Sequence, residues 1–267
     1  MAITTLDGLI AAAKVIAPMY RTTTRTTVAG GWFSLFDIAG VPGAGTLAIG
    51  NTANGLVNTD ATAGYPVIPF SADRTYINRL DYSNTVVSQY VLYDRVFACG
   101  AYAFNANTTL ASQPSYSARV SYDGGAANYN GLEIWVEQVT TATGNQAVNV
   151  TYTDQAGNTG NTTGAVGIGA APTVGRCWQL PLAAGDSGVQ TITNVTGSVA
   201  SAGTFNVMVL RPLVRIYVPV ASQVLSLNFT DLGLPEVFND SALYALYMAP
   251  AGTSSGTPWG MLQFVNG

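Results

Sequence analysis

The segment 132–153 shows the most regular alternation of apolar and polar residues in the chain. In its second half, Val148, Val150 and Tyr152 are separated by Asn or Thr, and its first half also alternates. Successive side chains of a β-strand point to opposite faces, so each half is predicted to form a strand with one buried face. The two halves are separated by only the short segment 141–145, whose residue types are common in turns. The sequence therefore predicts a β-hairpin.

Short runs rich in β-branched and aromatic residues recur along the chain, separated by Gly, Asn, Thr and Pro. Further strands are predicted within residues 20–27, 76–104, 176–182, 189–198, 204–220, 242–248 and 259–265. The last two are joined by a Pro/Gly/Ser-rich linker and are predicted to form a second hairpin. A dozen or so strands with one helix predict an all-β fold. We expect an antiparallel β-sandwich or jelly-roll-like body with a short N-terminal helix and an extended arm.

The helix is predicted near the start of the chain. Thr4 and Asp7 have the spacing of a capping box, and Leu6, Leu9 and Ile10 follow at helical spacing. An amphipathic helix of about ten residues is marginal by itself, so its apolar stripe needs a surface to pack on. That surface is either the β domain of the same chain or a neighbouring subunit.

The segment 39–65 is rich in Gly, Asn and Thr and has little periodicity. A loop of this length is uncommon inside a compact domain and is often functional. It is interpreted either as an interaction arm or as a surface loop that contains short strands. Its apolar residues Val41, Pro42, Leu47 and Ile49 would contact a partner if it is an arm.

The predicted domain organisation has two parts. Residues 1–27 are assigned to an N-terminal helix and arm, and residues 28–267 to a β-sandwich body. The turn-rich connector 112–130 marks a possible division of that body into two. Whether the body is one sandwich or two stays open at this level.

Charge and composition argue against several classes of binding partner. Only 9% of the residues are charged, and the net charge of −4 argues against nucleic-acid binding, which depends on Lys and Arg. No stretch reaches the roughly 18 apolar residues of a membrane span, so no membrane partner is expected. The first residues lack the basic region of a secretory signal, which predicts synthesis in a cytoplasm. Cys99 and Cys177 are either two buried thiols or one long-range disulfide.

The chain contains no histidine, the commonest general base and transition-metal ligand. The segments 185–188 (GDSG) and 252–256 (GTSSG) look like serine-nucleophile motifs, but both mechanisms need an imidazole. Glu133 and Glu137 lie about 13 Å apart on a strand, farther than glycosidase carboxylates. We therefore expect no enzyme, no catalytic residues, no cofactor and no metal site.

Trp135 lies on the same predicted face as Glu133 and Glu137. Tryptophan is over-represented at contact hot spots, so Trp135 is a candidate interface anchor or sugar platform. The alternative is a sandwich strand that is buried on both faces.

Four segments resemble a family of tailed-bacteriophage virion proteins: ITTLDGLIAAAK at 3–14, AGVPGAG at 39–45, VNVTYTDQAGNTGNTT at 148–163 and LPLAAGDSGVQTI at 180–192. The resemblance implies a non-enzymatic structural component of the particle, made in the host cytoplasm and assembled without secretion. We favour a capsid decoration or cement protein at the capsid surface that binds the major capsid protein and forms a homo-oligomer, a trimer or dimer. The alternative is a tail-associated or receptor-binding protein that contacts glycans through its polar loops.

In the decoration interpretation the helix and the arm contact the neighbouring subunits. The candidate subunit or capsid interface consists of Leu6, Leu9, Ile10, Val41, Pro42, Leu47, Ile49 and Trp135.

Overall fold

The computed structural model describes residues 3–70, 74–170 and 172–267. All strand pairings are antiparallel, and the helices are short: α1 (Leu6–Ala11), α2 (Phe229–Leu232) and two single 3₁₀ turns. The predicted all-β antiparallel fold is confirmed. The connector 112–130 carries both 3₁₀ turns and no named strand, in agreement with its turn-rich sequence.

The strands in the first half of the chain are β1 (Lys14–Arg21), β2 (Trp32–Ser34), β3 (Gly40–Val41), β4 (Asn51–Leu56), β5 (Thr75–Ser83), β6 (Ser88–Ala103), β7 (Asn107–Thr109) and β8 (Glu133–Thr140). Those in the second half are β9 (Gln146–Asp154), β10 (Asn161–Thr162), β11 (Val166–Ile168), β12 (Arg176–Leu180), β13 (Val189–Gly197), β14 (Thr204–Val218), β15 (Leu225–Asn228), β16 (Glu236–Val237), β17 (Leu243–Met248) and β18 (Trp259–Asn266).

The described strands form three sheets. The central sheet has the order β14-β8-β12-β2-β17-β6-β4, and β14 also pairs with β6, so six of its strands close into a ring. A six-stranded sheet has the order β15-β5-β18-β1-β3, with β16 beside β5. A five-stranded sheet has the order β10-β9-β13-β7, with β11 beside β9.

The strands β6 and β14 are long and pair with each other along their whole length. One half of the pair packs on the five-stranded sheet, where Phe97 and Val209 share a core with Tyr152. The other half packs on the six-stranded sheet, where Leu92 and Ile216 belong to a second core. β6 has 16 residues and spans about 50 Å, which is enough to serve both sheets.

A third core fills the ring of central strands. It includes Trp135, Met208 and Tyr244, which lie on strands whose opposite faces contribute to the other two cores. The central strands are therefore buried on both faces. This is why β6 is a nearly continuous run of buried residues rather than an alternating one.

Both predicted hairpins are wrong. β8 lies in the central sheet and β9 in the five-stranded sheet, and their apolar faces meet across the first core, Ile134 and Val136 with Val150. β17 and β18 likewise lie in different sheets. Alternation determines which side of a strand is buried, but it leaves the hydrogen-bonding partner open. In both cases the two consecutive strands lie in different sheets.

The N-terminal elements also differ from prediction. α1 is capped by Thr5 rather than Thr4: the Thr5 hydroxyl accepts a hydrogen bond from the Gly8 amide at 3.0 Å. The strand predicted at 20–27 lies earlier in the chain, as β1 at residues 14–21, because residues 14–20 pair with β18. β1 is thus part of the six-stranded sheet rather than of a separate arm, while the division of the chain into domains stays a prediction.

The segment 39–65 follows the surface of the body and contains the short strands β3 and β4, as its loop interpretation proposed. Leu47 and Tyr65 are buried in the third core. Gly45 and Gly64 lie against the Phe36 ring so closely that a Cβ atom at either position would collide with it. The segment is therefore packed on the body of the same chain and does not extend away from it as an arm.

Candidate interaction surface

The outer side of the six-stranded sheet carries exposed apolar side chains. On β18, Leu262 and Phe264 are fully buried in the second core, so Trp259, Met261 and Gln263 point to the opposite side. Trp259 is 40% exposed, although aromatic residues are more often covered. Within 259–264 (WGMLQF) only Gln263 is polar, so the sequence pattern alone could not show that Trp259 and Met261 face outward.

The pairing of β1 with β18 places more apolar residues beside these. Ile16 lies opposite Gln263, and Pro18 lies opposite Met261. Ile16 is 54% exposed, and it borders a shallow hollow of about 90 Å³ with Met261. On the other side of β18, Arg79 and Asp81 form an exposed ion pair at 2.9 Å, which gives the apolar strip a charged border.

α1 lies on the same side of this sheet. Leu9 is buried against Val265 and Tyr76, and Val265 follows Gln263 on the outward-pointing positions of β18. Leu6 and Ile10 project away from the sheet and are 58% and 66% exposed. We call this combined surface the outer sheet face; it consists of Leu6, Ile10, Ile16, Pro18, Trp259 and Met261.

The outer sheet face ends at an open strand edge. β1 pairs with β18 through residues 14–20, but with β3 only at Tyr20 and Arg21. Among the residues that the structure describes, the other edge of 14–19 therefore has no strand partner. Such an edge can accept a strand from another protein, although Pro18 removes one backbone donor.

Charged side chains in the interior form ion pairs and hydrogen bonds with other groups of the protein. Asp94 is fully buried and accepts hydrogen bonds from Arg119 at 3.1 Å, Arg211 at 3.2 Å and Ser241 at 2.8 Å. Burial by itself would raise the pKa of Asp94, but the two guanidinium groups lower it below its ordinary value. Arg119 also donates to the carbonyl oxygen of Asn58, so it ties the connector 112–130 to the segment 39–65.

A second buried network occupies the ring. Glu137 accepts hydrogen bonds from the Tyr244 hydroxyl and from the Asn206 amide, the latter at 3.0 Å. Arg95 is its counter-charge, with Nη2 3.7 Å from the Glu137 Oε2 atom. Burial and the nearby Glu137 charge raise the pKa of Tyr244 well above its ordinary value. Glu137, on β8, is thus held inside the protein by side chains from three other strands of the ring, β6, β14 and β17.

Glu133 and the serine motifs are also engaged by protein groups. The Glu133 carboxylate accepts from the Trp135 indole at 2.7 Å and from the Tyr93 hydroxyl at 3.0 Å. In the segment 185–188, the Ser187 hydroxyl donates to Asn130. In the segment 252–256, the hydroxyl of Ser254, the serine of the motif, accepts a hydrogen bond from the Gly256 amide at 3.2 Å. These contacts are those of turns and packed strands.

Cys99 and Cys177 are free, buried thiols, which settles the alternative that the sequence left open. Burial raises the pKa of Cys99 to about 12. Within 3–70, 74–170 and 172–267, no cluster of three or more His, Cys, Asp or Glu side chains could hold a metal ion. The helices in those ranges are all too short or too polar to cross a bilayer.

The predicted interface residues have very different environments. Leu6 and Ile10 are exposed on the outer sheet face, whereas Leu9 and Leu47 are buried within the chain. Val41, Pro42 and Ile49 are half-buried on the segment 39–65. Their contact with a partner stays a prediction.

Trp135 does not have the exposure that an interface anchor requires. It is 2% exposed and packs edge-on against Trp32 and Tyr93, with ring centroids 6.1 Å away in each case. β8 is buried on both faces, so the second interpretation of this strand describes it correctly. The side chain of Trp135 offers no surface to a partner.

No protein-family model and no curated protein matches the chain. Solved structures that show a weak similarity to it include two of infectious bursal disease virus. A structure of infectious bursal disease virus Gt strain has 10% identity, covering 95% of this chain and 81% of that chain at a TM-score of 0.18. A crystal structure of the infectious bursal disease virus VP2 subviral particle has 11% identity, with the same coverage and TM-score. A TM-score this low does not establish a shared fold and carries no argument about function.

Proposed function

We propose that this chain is a non-enzymatic structural protein of a bacteriophage particle, a decoration or cement protein that binds the major capsid protein lattice. The observation that carries the proposal is the outer sheet face, an apolar surface on a rigid sheet beside an open strand edge. The resemblance of four segments to tailed-bacteriophage virion proteins supports the same assignment. The proposed location is the capsid surface, after synthesis in the host cytoplasm.

The outer sheet face has the composition of a protein–protein contact. Trp and Met, which are enriched at interface cores, are present in it as Trp259 and Met261. The Arg79–Asp81 ion pair lies at its border, where interfaces are polar and hydrated. Adjacent apolar side chains on a surface mark a binding site more often than isolated ones do.

The proposed contact has two parts. Leu6 and Ile10 of α1, together with Ile16 and Trp259, would pack into apolar hollows of the capsid subunits. A strand of the partner would pair with the edge of residues 14–19, since main-chain hydrogen bonds at such an edge add affinity. A second copy of this chain could use the same edge, which is the basis for proposing a dimer or trimer.

The first experiment is to count the copies of this chain in purified particles of the phage that encodes it. Quantitative mass spectrometry against the major capsid protein should give hundreds of copies, near a simple ratio to the capsid subunit. A few copies to a few dozen per particle would contradict decoration of the lattice. That result would assign the chain to the tail or the neck.

A binding experiment tests the outer sheet face directly. Particles that lack the chain should bind the purified protein and gain thermal stability. The substitution Trp259→Ser should weaken that binding at least tenfold, because it removes the largest exposed side chain of the face. Tyr217→Ser is the matched control, since Tyr217 is a similarly exposed aromatic residue on the central sheet. Equal binding by both variants would refute the assignment of this face.

The second candidate function is a tail-associated or receptor-binding protein that contacts glycans. The exposed Gly/Asn/Thr loop that surrounds β10, together with the polar rim of the segment 39–65, favours it. A low copy number combined with saturable binding to host-cell glycans would support this function over decoration.

A further inference from the structure

One end of the ring of central strands carries polar and aromatic side chains that solvent can reach. Because neighbouring strands are antiparallel, the starts of β2, β6 and β8 meet the ends of β12, β14 and β17 at this end. Trp135, Cys177 and Val91 belong to the third core, so positions two residues from them, or directly opposite them on the next strand, face the same side. Among the residues of this kind at that end, we give the name ring mouth to Trp32, Glu133, Gln179 and Arg215.

A ligand can reach all four side chains of the ring mouth. Gln179 and Arg215 are exposed, and Trp32 and Glu133 are half-buried. Beneath them Trp135 closes the interior, with its ring packed edge-on against Trp32 and with Gln179 directly opposite it on β12. A ring of six strands is narrow enough for side chains to fill. A ligand would therefore lie at the mouth, above Trp135, rather than inside the ring.

The Glu133 carboxylate is fixed in position and has one oxygen left for a ligand. Its hydrogen bonds from the Trp135 indole at 2.7 Å and from the Tyr93 hydroxyl at 3.0 Å both end at the Oε2 atom. Among the described residues no guanidinium or ammonium group forms an ion pair with it. Removing a carboxylate from water without an ion pair is costly, so such a group is expected mainly where it serves a function. The Oε1 atom is the part of Glu133 that would contact a ligand.

The ring mouth combines a hydrogen-bond acceptor, donors and an apolar surface. The Glu133 Oε1 atom accepts, the Arg215 guanidinium donates, and the Gln179 amide does both. Arg215 is close enough to hydrogen-bond the Tyr93 hydroxyl that donates to Glu133. Opposite charges thus lie near each other, which favours a neutral ligand over an ion. The hydroxyl groups of a sugar pair with donors and acceptors alike, and the C–H face of its ring can pack on Trp32.

We propose that the ring mouth binds one neutral sugar unit of a glycan. The sugar ring packs on Trp32, and its hydroxyl groups hydrogen-bond to Glu133, Gln179 and Arg215. The site lies on the central sheet, so it shares no residue with the outer sheet face, and it is also separate from the loop that surrounds β10. Sugar binding therefore does not depend on the proposed capsid contact. Failure of either one leaves the other intact.

The test is a titration of the full chain with the methyl glycosides of glucose, galactose, mannose, rhamnose and N-acetylglucosamine, followed by ligand-observed NMR. At least one of these glycosides should bind saturably. Gln179→Ala should raise its dissociation constant at least fivefold, because the substitution removes a ligand contact at an exposed position. Gln223→Ala is the matched control. It removes another exposed glutamine, beyond the end of β14, and should bind as the unaltered chain does.

Glu133→Gln distinguishes a ligand contact from a structural role. The amide keeps an oxygen for the Trp135 and Tyr93 donors, so the thermal unfolding temperature should stay within error. The dissociation constant should rise at least tenfold, because an NH₂ group replaces the Oε1 acceptor.

Three results would overturn the proposal. The first is the absence of saturable binding to all five glycosides. The second is binding that neither Gln179→Ala nor Glu133→Gln weakens. The third is saturable binding of arginine methyl ester together with no binding of any glycoside, which would assign the ring mouth to a cationic side chain of a partner protein.

Discussion

Asp94 is a buried carboxylate that binds two buried arginine side chains. It pairs with Arg119 from the connector and Arg211 from β14, and it also accepts a hydrogen bond from the backbone amide of Ala242 at 3.1 Å. Removal of one member of a buried ion network leaves the others charged and uncompensated, which costs more than the network contributes as a whole. A single carboxylate therefore secures three separate segments of the chain.

We predict that Asp94→Asn lowers the free energy of unfolding at pH 7 by about 3–5 kcal/mol, because Arg119 and Arg211 lose their buried counter-charge. The control is Asp81→Asn, which breaks the exposed Arg79–Asp81 pair and should change stability by less than about 1 kcal/mol. Urea unfolding of the three proteins measures both effects. Similar losses for the two variants would contradict the structural role of Asp94.

The same residue predicts an acid dependence. Because the pKa of Asp94 is lower in the folded chain than its ordinary value of 3.8, its contribution is fully present well above that value and is lost as the pH falls through the folded pKa. The unaltered chain should therefore lose more stability between pH 5 and pH 3 than the Asp94→Asn variant loses. If the stability of the two proteins falls equally over that interval, the ionisation of Asp94 does not contribute to the pH dependence of folding.

At the scale of elements, α1 shows how a short helix is fixed while its apolar residues stay exposed. It has only six residues, so it depends on packing rather than on its own propensity. Leu9 supplies the packing, and the Lys14 ammonium group donates to the carbonyl oxygens of Leu9 and Ile10, each at 2.9 Å. The side chains of Leu6 and Ile10 are mostly exposed and do not belong to the core that Leu9 forms with Tyr76 and Val265.

We predict that Leu9→Ala increases hydrogen exchange of the α1 amides at least tenfold and lowers stability by about 2 kcal/mol or more. Ile10→Ser should leave both within error, since surface substitutions usually change stability by less than about 0.5 kcal/mol. Exchange measured by mass spectrometry on peptides from the N-terminal region checks the pair. Equal effects of the two substitutions would contradict the packing described for α1.

The elements also show where sequence reasoning reaches its limit. The alternation of Val148, Val150 and Tyr152 correctly identified a buried strand face. The partner of that strand could not be read from the pattern, because pairing depends on β13, some forty residues away along the chain. For the same reason Leu6 was recognisable as an apolar helix residue, whereas the position of Ile16 beside Met261 required the register of β1 with β18.

At the scale of the whole molecule, β6 and β14 join all three cores. Their residues contribute to the core under the five-stranded sheet, to the core under the six-stranded sheet and to the core inside the ring. A division of the body near 112–130 would need two units with separate cores. The shared strands couple the cores on either side, and the buried Arg119 binds the connector to both β6 and the segment 39–65.

We predict that the chain unfolds in one cooperative transition, because neither outer sheet can lose its core without disrupting the strands that support the other. Trp259 lies in the six-stranded sheet, and Trp178 packs against the core of the five-stranded sheet, so single-tryptophan variants report on the two ends separately. Their urea midpoints should coincide. Midpoints that differ by more than experimental error would show that the two ends unfold independently.

The paired strands β6 and β14 have a mechanical consequence. Hydrogen bonds of an antiparallel pair run perpendicular to the strands, so tension applied along them loads the whole ladder in shear. The bonds then share the load and cannot unzip in sequence. A force applied to the six-stranded sheet would be transmitted along β6 and β14 to the five-stranded sheet. The protein would therefore resist extension along the direction of these two strands.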